Sequence, residues 1–206
     1  MPNGLSQQPA ELFTGEEEFQ GLEGRLPLRL LDFWRWSGSM LADNTARGVL
    51  AEFLVAAALG LHVKEPRREW DECDIRTESD TPIEVKSAAY YQTWGQDRPS
   101  PIRFGIAAHP SWNAKTGEYK EETKRWADIY IFCVFTGKSS RDCLDISEWR
   151  FFVIPTRVLD EKVPQQKTID LNPLRNLSPR ECSFRDLKQV ISDTEKEVKN
   201  GVISSS

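Results

Sequence analysis

Asp74, followed after a short polar turn by Glu84-Val85-Lys86, forms the one cluster in this chain whose residue types and spacing suggest chemistry. Residues i and i+2 of a strand point to one face, so Glu84 and Lys86 project side by side while Val85 faces the core. Asp74 lies across from them if the segment before the turn is the partner strand of a hairpin. Two carboxylates about one strand spacing apart, roughly 4.8 Å between backbones, repel each other and favour a cation between them. With the carbonyl of Val85 they suit a hard ion, Mg²⁺ or Mn²⁺. Mg²⁺ in particular takes one or two carboxylates and keeps its waters for substrate phosphate. Such an ion acidifies water and polarises a phosphoryl oxygen. Lys86 would orient the attacking water and offset charge developing on phosphorus. Glu52, the single charge between Gly48 and Leu61, would complete the metal shell or hold one of its waters.

The elements that must position these groups are legible in the pattern. Residues 28–42 carry apolar side chains at near-helical spacing, including Leu30, Phe33, Trp34 and Leu41. Asp43 or Asn44 caps a second helix that runs to Leu59 and stops at Gly60. It is apolar on nearly every face, which predicts a buried helix with Glu52 inside it. Cys73–Arg76 and Ile83–Ala89 alternate as strands around the turn 78–82, and together they read as a hairpin. Ile102–Ala107 and Phe151–Pro155 are further short strands. Ala127–Phe135 is so continuously apolar that it belongs at the centre of a sheet. Ser183 with Asp186 opens a helix that continues to about Lys199. The order predicts an α/β fold, a mixed central sheet flanked by helices.

The chain of 206 residues is long enough for one sizeable core. Its net charge of −5 argues against coating nucleic acid by bulk electrostatics. Residues 1–25 hold five acids (Glu11, Glu16, Glu17, Glu18, Glu23) against Arg25, a charge of −4. They are read as a mobile acidic arm with a short helix at Glu16–Gln20. Residues 26–206 are then a single domain with a charge of −1. No segment is long and apolar enough to span a bilayer, no export signal is visible, and the cytoplasm is the default location. Cys73, Cys133, Cys143 and Cys182 lack CxxC spacing and accompany only His62 and His109, so free buried thiols are expected rather than zinc. Ser87 and the other serines have no triad context, and no Gly-rich phosphate loop is present.

Asp74, the turn and Glu84-Val85-Lys86 resemble the PD-(D/E)xK nuclease superfamily, the restriction-endonuclease-like fold. The resemblance covers roughly residues 44–135. It implies a core of helix, three meandering strands, helix and strand. It also implies a Mg²⁺- or Mn²⁺-dependent endonuclease (a phosphodiesterase) with nucleic acid, DNA in the first place, as substrate. Asp74, Glu84 and Lys86 match the motif, and Glu52 matches the helical glutamate that often precedes it. Gln92 resembles the glutamine that some branches place after the lysine. Cys73 stands where proline is usual. Many enzymes of the superfamily cut both strands as dimers, so a homodimer is also implied.

Blander roles stand beside these. Glu52 is also suited to binding a buried arginine, Asp74 to a turn, Lys86 to a solvated strand face, and Gln92 to a structural role. Glu72 rivals Asp74 as a ligand, and Asp71 less so. Arg125 and Asp128 are expected to pair with each other. Trp94, Trp112 and Trp126, interleaved with Arg98, Arg103, Lys115, Lys120 and Lys124, are a minor candidate for contact with a single strand. The alternative to the nuclease is a non-catalytic binding or interaction module that keeps the fold.

Overall fold

A computed structural model describes residues 11–63, 66–67, 72–113 and 118–203. In chain order, β1 (Glu18–Gly21) and β2 (Gly24–Arg29) form an antiparallel hairpin, followed by α1 (Leu30–Gly38) and α2 (Asn44–Leu59). Next come β3 (Ile75–Arg76), β4 (Pro82–Ala89), β5 (Arg103–Gly105), the hairpin β6 (His109–Asn113) and β7 (Glu118–Lys124), and β8 (Ile129–Phe135). After two short 3₁₀ turns the chain forms β9 (Trp149–Pro155), α3 (Thr156–Lys162), β10 (Thr168–Asp170), α4 (Leu171–Asn176), β11 (Arg180–Cys182) and α5 (Phe184–Ile203).

Five strands make the main sheet, in the order β11-β9-β8-β4-β3. β8 runs parallel to β4 and antiparallel to β9, so the sheet is mixed. Every residue of β8 is buried, as an uninterrupted apolar run requires when both faces of a strand are covered. Odd and even positions serve two cores. Ile83, Val85, Ile129 and Ile131 face Ala51, Leu54 and Val55 of α2 and Leu187 and Ile191 of α5. Ala88, Tyr130, Phe132 and Phe152 face Phe104, Ile106, Leu159 and Leu174 on the other side.

Local chemistry sets the limits of α2. The Asp43 carboxylate accepts the Thr45 N–H at 3.0 Å, and Gly60 at φ 75 takes the left-handed turn that ends the helix. The expectation of a helix buried on nearly every face is corrected. One stripe meets the sheet, while Val49 and Phe53 stay exposed, because among the described residues no helix or strand packs over them.

Three further expectations change. Residues 18–29 form a hairpin where a short helix at Glu16–Gln20 was predicted, and its second strand crosses residue 25. The Glu17 carboxylate accepts the Thr14 and Gly15 N–H groups in a turn instead, and Gly24 at φ 121 closes the hairpin. The helix predicted over 28–42 shortens to α1 because β2 claims residues up to Arg29. The crossover from β4 to parallel β8 contains no helix among the described residues. It carries β5 and the β6–β7 hairpin, in keeping with Gly95, Pro99, Pro101, Gly105 and Pro110 in that stretch. This departs from the element order that the family resemblance implies. All four cysteines are free thiols, three of them buried. Among the described residues no helix is long and apolar enough to cross a membrane.

One carboxylate ties α5 to the turn of the β3–β4 hairpin. Glu195 Oε1 accepts hydrogen bonds from Thr77 at 2.7 Å, from Ser79 at 2.8 Å and from Thr81. Burial raises this carboxyl, but the donors from Thr81, Thr77, Ser79 and Lys199 outweigh it and hold the group down at about 2. A depressed carboxyl contributes stability that is present above its unfolded value of 4.5 and lost as pH falls towards 2. Glu195→Ala leaves three hydroxyl donors without their acceptor and is expected to cost about 2–3 kcal/mol, read from the urea midpoint at neutral pH.

Candidate metal centre

Asp74 stands one residue before β3, which is only two residues long. Its N–H donates to Ile83 O at 3.1 Å, continuing the hairpin ladder by one step. Beyond that point no strand among the described residues lies beside β4 on this edge, and the Asp74 side chain takes over. Its Oδ2 accepts the Val85 N–H at 2.7 Å. Asp74 is thereby fixed against the backbone of the Glu84-Val85-Lys86 segment.

Glu84 and Lys86 sit opposite Tyr130 and Phe132 in the parallel register and share their face, while Val85 faces α2 as predicted. Glu84 is only 8% exposed. Lys86 Nζ forms an ion pair with Glu84 Oε1, and the lysine side chain remains 33% exposed. Burial and the neighbouring Glu84 charge both push the Tyr130 hydroxyl far above its ordinary range.

The electrostatics join the four residues. Burial raises the Asp74 carboxyl most, and the Glu84 charge adds to it. The Val85 N–H opposes them, Glu52 raises the group further and Lys86 lowers it, leaving it pushed up to about 7. Asp74 is therefore a carboxyl whose ionised form is disfavoured chiefly by burial and secondly by the Glu84 charge, an environment that a bound cation would relieve.

Glu52 is placed differently from the expectation. It reaches from α2, on the opposite side of the sheet from Glu84 and Lys86, and it pairs through both oxygens with Arg67. Its bond to arginine is the blander role, although it still acts on Asp74 through space. Among the described residues no three His, Cys, Asp or Glu side chains are grouped closely enough to hold a metal by themselves. Asp74 and Glu84, which act on each other through space, are the pair of carboxylates left to weigh as cation ligands, and Mg²⁺ takes one or two. Glu52→Gln removes one like charge near Asp74. It should lower the Asp74 pKa, read by carboxyl NMR titration, and should reduce any cleavage by less than about tenfold.

The other candidates resolve as follows. Gln92 Nε2 donates to Ala89 O at 3.0 Å in the turn after β4, a structural role. Asp71 lies outside the described residues. Glu72 is not part of β3. Arg125 does not pair with Asp128. It is buried and bonds Asp160 at 2.6 Å and the carbonyls of Ile106, Val163 and Gln166, because its strand end turns it towards α3 and the loop after it. In the aromatic and basic stretch, Arg103 pairs with Asp170, and Lys124 lies 4.4 Å over Trp126. Arg98 and Trp94 are exposed. Lys115 and the side chains of Trp112 and Lys120 lie outside the described residues.

A cleft for which the residue pattern carries no signal opens beside Asp74. It has a volume of about 480 Å³, and Phe53, His62, Asp74, Ile75 and Arg76 are among the residues that line it. The apolar pattern of α2 predicts a buried helix, whereas its Phe53 is half exposed and lines this cleft. Comparison with protein-family models finds no match for this chain, and comparison with curated proteins finds no significant relative.

Proposed function

We propose that the chain is a metal-dependent nuclease of restriction-endonuclease-like type, an endonuclease that hydrolyses phosphodiester bonds in nucleic acid, DNA in the first place. The observation that carries this reading is Asp74 hydrogen-bonded into the backbone of Glu84-Val85-Lys86, with its carboxyl raised to about 7 by burial and by Glu84. Asp74 and Glu84 would hold Mg²⁺ or Mn²⁺. Bound there, the ion supplies Lewis acidity at a phosphoryl oxygen and acidifies water. Glu84 holds the Lys86 ammonium in place through their ion pair. Lys86, one third exposed, is available to orient the attacking water and to offset charge on the phosphorus centre. Asp74 holds a cation only when ionised, so activity should climb with pH towards and through 7. Rising metal concentration should move that climb to lower pH, because the ion competes with the proton.

The test is a panel of plasmid, linear duplex, single-stranded DNA and RNA, incubated with Mg²⁺ or Mn²⁺ and with EDTA, beside Asp74→Ala. Cleavage confined to the wild type with metal supports the nuclease, and cleavage that survives in the variant sinks the site.

A second reading is an interaction module that keeps the fold. It is favoured by the apolar surface of the N-terminal hairpin and α1, where no residue of the helix is buried and Trp36 is 84% exposed. Self-association, a homodimer included, would cover such a surface. Calorimetry separates the two readings. A nuclease binds Mn²⁺ in a way that Glu84→Gln abolishes, whereas a module shows no Glu84-dependent heat.

A further inference from the structure

We infer that the cleft beside Asp74 receives one unpaired nucleotide of a DNA strand, so that the substrate is single-stranded or unwound at the cut rather than an intact duplex. This rests on the nuclease reading and adds to it the form of the substrate. The cleft, about 480 Å³, falls within the range of about 300–1,000 Å³ of sites that enclose a small ligand. It admits a single base and its sugar, but a stacked and paired duplex cannot enter it.

Its walls have the chemistry of a base platform. Phe53 is 49% exposed on α2, and the His62 ring meets it edge-on at a centroid distance of 5.5 Å and an interplanar angle of 83°. The histidine fixes one edge of the phenyl ring, and Val49 and Leu61 supply apolar flanks. A half-exposed aromatic ring on a helix, braced by a second ring, suits the face of any nucleobase. Arg67 and Arg76 also line the cleft, one oriented by Glu52 and the other by Asp80 at 3.4 Å. Guanidinium groups already held in place are ready for phosphate oxygens. Asp74 is among the residues that line the cleft, so a nucleotide seated in it lies beside that carboxylate.

The net charge points the same way. A chain at −5 gains little from counterion release along a duplex. Affinity must come from short-range contact, and a stacking interaction is worth about 1–3 kcal/mol per base.

The experiment is fluorescence anisotropy of a labelled oligodeoxythymidine, and of a duplex of equal length, in EDTA so that nothing is cut. Wild type, Phe53→Ala and Phe53→Trp are compared after circular dichroism has shown that all three are folded. The expected result is tighter binding of the single strand than of the duplex. Phe53→Ala should weaken single-strand binding about tenfold, and Phe53→Trp should retain it. Equal or tighter binding of the duplex, or a folded Phe53→Ala that binds like wild type, overturns the inference. The reading of the catalytic site is judged separately by metal-dependent cleavage. Asp74-dependent cutting with a silent Phe53→Ala removes the cleft proposal alone. Phe53-dependent binding without any cutting supports the cleft and removes the nuclease.

Discussion

Asp74→Asn is expected to abolish cleavage, by at least about a thousandfold, while leaving the protein folded and more stable than wild type at pH 8. The loss follows from charge, since an amide is a poor ligand for a hard cation and one of only two available carboxylates is gone. Stability moves the other way because of the raised carboxyl. Asp74 titrates near 3.8 when unfolded and near 7 when folded. A carboxyl raised on folding favours the native state only while protonated. That contribution is complete below about pH 3.8 and is lost as pH rises through about 7. Wild type at pH 8 therefore carries a buried negative charge beside Glu84, at a cost on the order of a few kcal/mol. The asparagine removes the charge, and its side-chain oxygen can still accept the Val85 N–H that closes the open edge of β4. Thermal melts from pH 4 to pH 8 should show the wild type losing ground to the variant as pH rises. Added Mn²⁺ should raise the melting temperature of the wild type alone. A variant less stable than wild type at pH 8 would mean that Asp74 serves mainly to hold the hairpin.

The parts of this fold and site that were legible in the sequence are those set by local chemistry. Asp43 and Gly60 bracket α2 because a cap and a left-handed glycine act on their own helix end. β8 announces itself because a strand covered on both faces is apolar throughout. Asp74, Glu84 and Lys86 could be brought together on paper because a hairpin register spans few residues and strand alternation assigns the faces. What was not legible depends on partners far along the chain. β10 and β11 are three-residue strands that exist because β5 and β9 offer them an edge. Arg125 pairs with an aspartate 35 residues away, not with the nearby Asp128. Glu52 meets Arg67, which lies beyond the end of its own helix, and periodicity carries no information about such a partner. The exposed side of α2 was unreadable for the same reason. An apolar helix surface looks identical in sequence whether another element covers it or a cleft opens beside it.

Lys86→Met separates the two tasks that the site demands of its lysine. Methionine keeps much of the length and apolar stem but lacks the ammonium, so the buried Glu84 loses its ion-pair partner. An unpaired carboxylate that is 8% exposed costs roughly 1–3 kcal/mol even with the relief that partial protonation brings. Cleavage should fall at least about a hundredfold, because nothing then orients the water or offsets the charge on phosphorus. Loss of activity alone does not distinguish a catalytic lysine from a stabilising one, and the double variant Lys86→Met/Glu84→Gln isolates the stabilising part. With the carboxylate neutralised, stability should return to within about 1 kcal/mol of wild type, since the unpaired charge is gone. Activity should stay lost, since both the cation ligand and the ammonium are absent. Recovery of cleavage along with stability would show that Lys86 acts only by holding Glu84. Recovery of stability without cleavage assigns the ion pair its stabilising role, and Lys86→Met assayed well below its melting temperature then reads the task of the ammonium itself, for which the third of its side chain that remains open to solvent is available.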